Sequence, residues 1–267
     1  MSSTTPTAQF AAVVYGDDVA LDDPAEILHE AAKLYPSSGL RLTRGIALLE
    51  RHAELRQSVE RAGHRHPHRP HFPLPPPRRL RRTLSKAISE RHSSKPAADS
   101  SLDPPTLAAL LAASNGCRRG EHGRRTIPSG GALYPLELYV FALRIDDVPR
   151  GVYHFDPHSS CLEQLGAGVD GIEEALLDGS LAGSSAAILA VTSVFWRTRF
   201  KYGLRGYRFA LLEAGHAVQN ALLAATSLGL AALPLGGFYD TRVEALLGVD
   251  GVHESVLYLV AVGEVAG

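Results

Sequence analysis

The sequence predicts a mixed helix-and-strand fold, one large domain with a small helical extension at its start. Three observations carry this. Short apolar runs of strand type recur through the second half of the chain, two of them close enough to form a hairpin. Helical stretches with recognisable start and stop signals separate them. One long helix is apolar around nearly its whole circumference, so it must be buried in a core or in a subunit interface. A chain of 267 residues, 45% hydrophobic and 21% charged, can bury a full core of this kind.

In chain order, Pro24 to Leu34 is expected to be helical behind Asp23 as N-cap. Leu40 to Val59, rich in Leu, Ala, Glu and Arg, reads as a second helix. Residues 1–61 are therefore a helical N-terminal extension. Residues 62–79 are rich in His and Arg and end Pro73-Leu74-Pro75-Pro76-Pro77. Proline lacks an amide donor and has a fixed φ, so this stretch is an extended connector. From residue 80 to residue 267 helices and strands alternate. Leu84 to Arg91 is a short helix. Asp103 caps a helix that begins Pro104-Pro105, runs to Ser114 and stops at Asn115-Gly116. Leu136 to Leu143 is a strand, and Gly151 to Phe155 with Cys161 to Leu165 makes the hairpin. Ala186 to Val194 is a strand of buried type, and Ala231 to Leu235 and Val256 to Val262 complete the set. Tyr207 to Leu228 is the long apolar helix.

Composition excludes several classes of function. Cys117 and Cys161 are the only cysteines, too few for a disulfide framework or a four-cysteine zinc site, and a reducing cytoplasm is the expected compartment. No apolar run is long enough to cross a bilayer, and Met1 to Phe10 lacks the parts of a secretory signal, so no membrane partner is expected. Glu60 to Lys95 carries ten Lys/Arg against two Glu, a local excess of +8 in a chain of net charge −1. Phe72 is the only aromatic ring of Phe, Tyr or Trp type in that block, so the stacking pattern of a single-strand binder is missing and no nucleic-acid partner is expected. His64, His66, His68 and His71 lie in the connector with no carboxylate or cysteine nearby in sequence, and no metal site is predicted from them. No phosphate loop with Lys-Ser/Thr is present, and Ser129 is not in a Gly-x-Ser-x-Gly hydrolase elbow.

Four segments remain. Arg91-His92-Ser93-Ser94-Lys95 sets cations and hydroxyls in five residues after a short helix, a donor set suited to a phosphate. Pro128-Ser129-Gly130-Gly131-Ala132-Leu133-Tyr134-Pro135 leads into a strand, with backbone amides expected to approach a planar ligand. Pro234-Leu235-Gly236-Gly237-Phe238 leaves one. Between them, Phe195 to Arg208 is dense in aromatics and cations and reads as a surface loop. Taken in order, Arg-x-Ser-x-Lys, Pro-Ser-Gly-Gly-Ala-Leu-Tyr-Pro, Phe-Trp-Arg-Thr-x-x-Lys-Tyr, Gly-His-x-x-Gln-Asn and Pro-Leu-Gly-Gly-Phe resemble the SagB-type dehydrogenases. These are the flavin-dependent oxidases of thiazole/oxazole-forming peptide biosynthesis, a branch of the nitroreductase superfamily. The resemblance covers about Leu80 to Gly263, and Asp23 to Ala31 also looks like the family's N-terminal region.

The resemblance implies an α+β, nitroreductase-like FMN fold with a central, mostly antiparallel sheet flanked by helices. It implies FMN held at the interface of a homodimer whose buried centre is the long helix. Arg91, His92, Ser93 and Lys95 would hold the phosphate and polar ring edge. Pro128, Ser129, Gly130 and Gly131 would contribute from one loop, and Leu235, Gly236 and Gly237 from the other, where glycines let backbone amides come close to the ring. Lys201 and Tyr202 match the family's catalytic pair, and either could be the base. The implied substrate is a precursor peptide already carrying thiazolines or oxazolines, made by a partner cyclodehydratase complex, with O2 as final acceptor. The basic block around Arg78-Arg79-Leu80-Arg81-Arg82 would engage an acidic leader or a partner protein. Two departures stand out: the family commonly has arginine at the positions of His92 and Lys95, and no basic pair precedes Gly267, leaving Arg205 or Arg208 to substitute. Two alternatives stay open: an NAD(P)H-dependent nitroreductase or small-molecule dehydrogenase, and, motivated by those departures, a flavin-poor scaffold in a biosynthetic complex.

Overall fold

Seven strands form one sheet in the order β1-β4-β3-β2-β5-β7-β6, and every neighbouring pair is antiparallel. The strands are β1 (His71–Pro73), β2 (Leu136–Ala142), β3 (Gly151–Asp156), β4 (Cys161–Gly166), β5 (Ala187–Val194), β6 (Leu230–Leu235) and β7 (Glu254–Glu264). Helices lying wholly within the described residues include α1 (Pro24–Ala31), α2 (Leu84–Glu90), α3 (Pro104–Asn115), α4 (Ile172–Ala175), α5 (Ser180–Ser184), α6 (Trp196–Tyr202), α7 (Arg205–Leu228) and α8 (Asp240–Leu247). This computed structural model describes residues 23–36, 45–47, 49–54, 63–118, 120, 123–166 and 168–266. The α+β expectation and the antiparallel sheet are both met.

The capping signals work as the sequence suggests. Asp23 accepts from the Ala25 amide at 2.8 Å, and Asp103 from the Thr106 amide at 2.9 Å, each ahead of proline in the first turn. The predicted helix over 40–59 falls partly outside the described residues; 45–47, 49–51 and 53–54 are helical. The connector is extended, and its His71–Pro73 pairs with β4 as an edge strand, a place where proline's missing donor does no harm. The segment Phe195 to Arg208, expected to be a surface loop, is instead the helix α6 and the first turn of α7, joined at Gly203 with φ 57°. Its aromatic and cationic side chains sit on helix faces, so no loop is needed to display them.

Alternation along the strands gives the sheet two faces. Leu136, Leu138 and Val140 of β2, with Leu189 and Val191 of β5, pack under α3 and α7. On the other face Phe141, Ile188, Ala190 and Leu259 pack under α4, α5 and α8. That second face turns polar towards one end, where Glu137, His154, Glu163, Thr192 and Glu254 are all buried. The long helix α7 is buried along Ala210, Ala214, Ala217, Val218 and Ala221, but Leu211, Leu212, Gly215, His216 and Gln219 form an exposed strip on it.

Candidate active site

The chain enters β2 through a distorted loop. Gly131, Ala132 and Tyr134 all have positive φ, at 67°, 55° and 42°. Left-handed backbone costs a non-glycine residue roughly 1–2 kcal/mol, so the surroundings must hold this shape. Three contacts do so. Ser129 Oγ accepts from the Tyr134 amide at 2.9 Å, the Gly130 amide donates to Glu213 Oε1 at 3.0 Å, and Arg197 Nη1 donates to the Tyr134 carbonyl at 3.4 Å. Arg197 is itself ion-paired with buried Glu137 at 2.5 Å.

Lys201 and Tyr202 occupy the last turn of α6, half-buried, and their heads meet this loop at Gly131. A methyl group on Gly131 would lie 2.6 Å from the Tyr202 hydroxyl and 2.7 Å from Lys201 Nζ. Lys201 Nζ is 5.1 Å from the Tyr202 ring centroid, and Tyr202 packs edge-on to Phe209 at 5.0 Å. Two motifs far apart in sequence thus become one group. It borders a cleft of about 740 Å³ lined by Arg118, Arg124, Pro128, Ser129, Gly131 and Tyr134, a volume in the range of small-molecule sites.

Glu213 is the residue sequence reasoning missed. It lies on the buried face of α7 and is only 3% exposed. One carboxylate oxygen takes the Gly130 amide, while Oε2 is buried with no hydrogen-bond partner. Burial pushes its pKa up to about 7, against the opposing pull of the Gly130 amide and the Ser129 hydroxyl. Its being the one carboxylate between Arg205 and Leu228 was the available signal. The contact also corrects the expectation of free loop amides, because that of Gly130 is occupied.

A second group gathers at the outer edge of β6. The Ser94 amide donates to the Ala232 carbonyl at 3.2 Å and that of Ala97 to the Glu264 carbonyl at 2.9 Å, so the segment from Arg91 runs beside the strand that leads to Leu235, Gly236 and Gly237. Lys95 Nζ pairs with Asp178 at 2.6 Å, and the Leu177 amide donates to the Gly237 carbonyl at 3.1 Å. His92 and Ser93 are exposed, and Gly236 has open space where a side chain would stand. Among the described residues no hydrogen bond or ion pair joins this group to the loop and Lys201–Tyr202. In the basic block, Arg78 pairs with Asp103 and Arg82 with Glu90, while Arg79 and Arg81 are exposed.

His64, His66 and His71 of the connector, which have no carboxylate near them in sequence, meet carboxylates in the fold. His64 Nε2 meets Glu254 Oε2 at 2.6 Å, and the His64 and His66 amides donate to Glu137 and Glu163. At the centre His154 lies between Glu163 Oε2 (2.9 Å) and Glu137 Oε2 (3.0 Å). Burial works to lower the His154 pKa, but the two carboxylates prevail and raise it to about 9. Antiparallel pairing brings carboxylates from β2, β4 and β7 to histidines on β3 and the connector.

Residues 88–264 match the family model for the nitroreductase family. Among relatives, a Methanocaldococcus jannaschii protein named for the nitroreductases is 34% identical over 67% of this chain and 90% of its own length. The Microcin B17-processing protein McbC of Escherichia coli is 34% identical over 48% of this chain and 49% of its own length. The Trifolitoxin-processing protein TfxB of Rhizobium leguminosarum bv. trifolii is 32% identical over 59% and 45%. The chain thus spans about half the length of the two processing proteins. Among solved structures, a chain of the E. coli microcin synthetase McbBCD complex, with truncated pro-MccB17 bound, superposes with TM-score 0.62 at 26% identity. That match covers 92% of this chain and 95% of the other. A Desulfovibrio desulfuricans protein in complex with FMN shares the fold with TM-score 0.50 at 21% identity, covering 70% and 88%. The resemblance to SagB-type dehydrogenases, read from five short motifs, holds.

Proposed function

The chain belongs to the nitroreductase family, and on that premise we propose that it is an FMN-dependent dehydrogenase oxidising peptide thiazolines or oxazolines to thiazoles or oxazoles in ribosomal peptide biosynthesis. The observation that carries this reading is the meeting of Lys201 and Tyr202 with the strained loop at Gly131, in a chain related to McbC and TfxB.

The residues present fit FMN. Arg91, His92, Ser93 and Lys95 offer cationic and hydroxyl donors for a phosphate beside Gly236, whose missing side chain leaves room for a flat ring. Pro128, Ser129 and Gly131 line the separate cleft, and Gly130, Leu235 and Gly237 complete the two loops. Because the two groups are not joined within one chain, a second copy docking along the exposed strip of α7 would bring one group to the other; this homodimer is part of the proposal. FMN, when bound, supplies a hydride acceptor.

The chain's own residues do the rest. Making an azole from an azoline removes a proton from the ring carbon next to the carbonyl and a hydride from the neighbouring carbon. Lys201 or Tyr202 takes the proton, and the loop and α6 hold that base against the substrate within the short contact such transfers need. Glu213 fixes the Gly130 amide and so the loop's shape. The final acceptor is molecular oxygen, reduced to hydrogen peroxide. The peptide arrives from a cyclodehydratase complex of the kind the McbBCD similarity points to.

Lys201→Ala and Tyr202→Phe should each lower turnover of a synthetic azoline peptide by about 100-fold or more while leaving bound flavin in place. Full activity in both would overturn the assignment. The similarity to the M. jannaschii protein favours a second reading, an NAD(P)H-dependent nitroreductase. Rapid bleaching of the flavin by NADPH, with no turnover of azoline peptides, would establish it.

A further inference from the structure

We propose that His66, His154 and Glu163 form a zinc site that fastens the connector to the sheet. The ligand atoms these residues offer lie within 4.8 Å of one another. They come from three separate pieces of backbone: the connector, β3 and β4. His66 Nε2 is buried with no hydrogen-bond partner, and its ring centroid is 5.4 Å from that of His154.

The surroundings match what a zinc-bound imidazole requires. A metal-bound histidine usually donates its other ring nitrogen to a carboxylate, which fixes the tautomer and the ring. His154 has that arrangement: Nε2 meets Glu137 at 3.0 Å, and Glu137 is held in turn by Arg197, leaving Nδ1 towards Glu163. Glu163 is oriented by the His66 amide, which donates to its Oε1 at 3.0 Å. Two imidazoles and one carboxylate are a common zinc set, with the fourth position left to water. Zinc bonds of about 2.0–2.1 Å at a tetrahedral angle put neighbouring ligand atoms roughly 3.3 Å apart. His154 Nδ1 and Glu163 Oε2, now 2.9 Å apart, need to part by only a few tenths of an ångström.

The inference stands apart from the proposed oxidation. These residues lie on the face of the sheet opposite α7, and none belongs to the loop, to α6 or to the β6 edge.

Zinc content of the full chain, measured by plasma mass spectrometry after EDTA dialysis and reloading with Zn²⁺, tests the site. Wild type and His68→Gln should hold one zinc per chain, and His66→Gln and Glu163→Gln none. EDTA should lower the melting temperature of wild type and leave that of His66→Gln unchanged. Anomalous scattering at the zinc edge from wild-type crystals should place the ion between His66, His154 and Glu163, which keeps the test valid should a variant fail to fold. Wild type that loads no more zinc than His66→Gln, or an anomalous peak elsewhere, overturns the proposal; His154 would then be a protonated imidazole between two carboxylates and nothing more.

Discussion

Gly131→Ala tests whether the loop and the Lys201–Tyr202 pair act as one unit. The added methyl has two separable effects. Gly131 sits at φ 67°, so alanine there costs roughly 1–2 kcal/mol of stability, a shift of a few degrees in melting temperature. The methyl would also stand 2.6 Å from the Tyr202 hydroxyl and 2.7 Å from Lys201 Nζ, where ordinary contact needs almost an ångström more. Both obstructing atoms are ends of flexible side chains, so the fold can yield by moving them, and the loss falls on catalysis. A displacement of about 1 Å at a reacting group lowers a rate by roughly 100-fold. At Gly130, by contrast, the atoms nearest an added methyl are those of the Phe209 ring, from 3.1 Å. The assay is steady-state oxidation of an azoline peptide, with flavin content and melting temperature measured alongside. Unchanged turnover in a folded, flavin-bearing Gly131→Ala protein would refute the reasoning.

Three further expectations concern other parts of the site. Because burial raises the Glu213 pKa from 4.5 to about 7, its folded form holds a proton that the unfolded chain loses first; stability is then full below pH 4.5 and falls as pH rises towards 7, by at most about 3 kcal/mol. Glu213→Gln should flatten that part of the stability–pH curve in urea titrations, and a curve parallel to wild type would show that Glu213 is not buried as described. Arg91→Ala should lower flavin content after gel filtration, and normal occupancy would remove Arg91 from the phosphate site. Leu211→Asp with Leu212→Asp places charge on the exposed strip of α7 and should convert a dimer to a monomer in sedimentation; an unchanged dimer would put the interface elsewhere.

Local chemistry explains why so much of the fold was readable beforehand. Asp103 ahead of Pro104 and Pro105 starts a helix, Asn115-Gly116 ends it, and the apolar run of β5 makes a fully buried strand; each is settled within a few residues. The Phe195 to Arg208 segment misled because aromatic and charged side chains crowd it, whereas helix formation depends on backbone and spacing that such a composition does not betray.

The family, six of the seven strands, the helices begun by Asp23 and Asp103, the long helix and the residue types available for chemistry all follow from the sequence, because motif order and capping are properties of short stretches. Which of those residues meet is set by packing between segments far apart in the chain. Gly131 touches Lys201 and Tyr202, Glu213 holds Gly130, and the connector histidines reach His154, Glu163 and Glu254 through antiparallel strand pairing and helix packing. The loop contacts depend on how two helices pack beside it, and the carboxylate–histidine contacts on register between strands remote in sequence, where a one-residue slip would send His154, Glu163 and Glu254 to the opposite face.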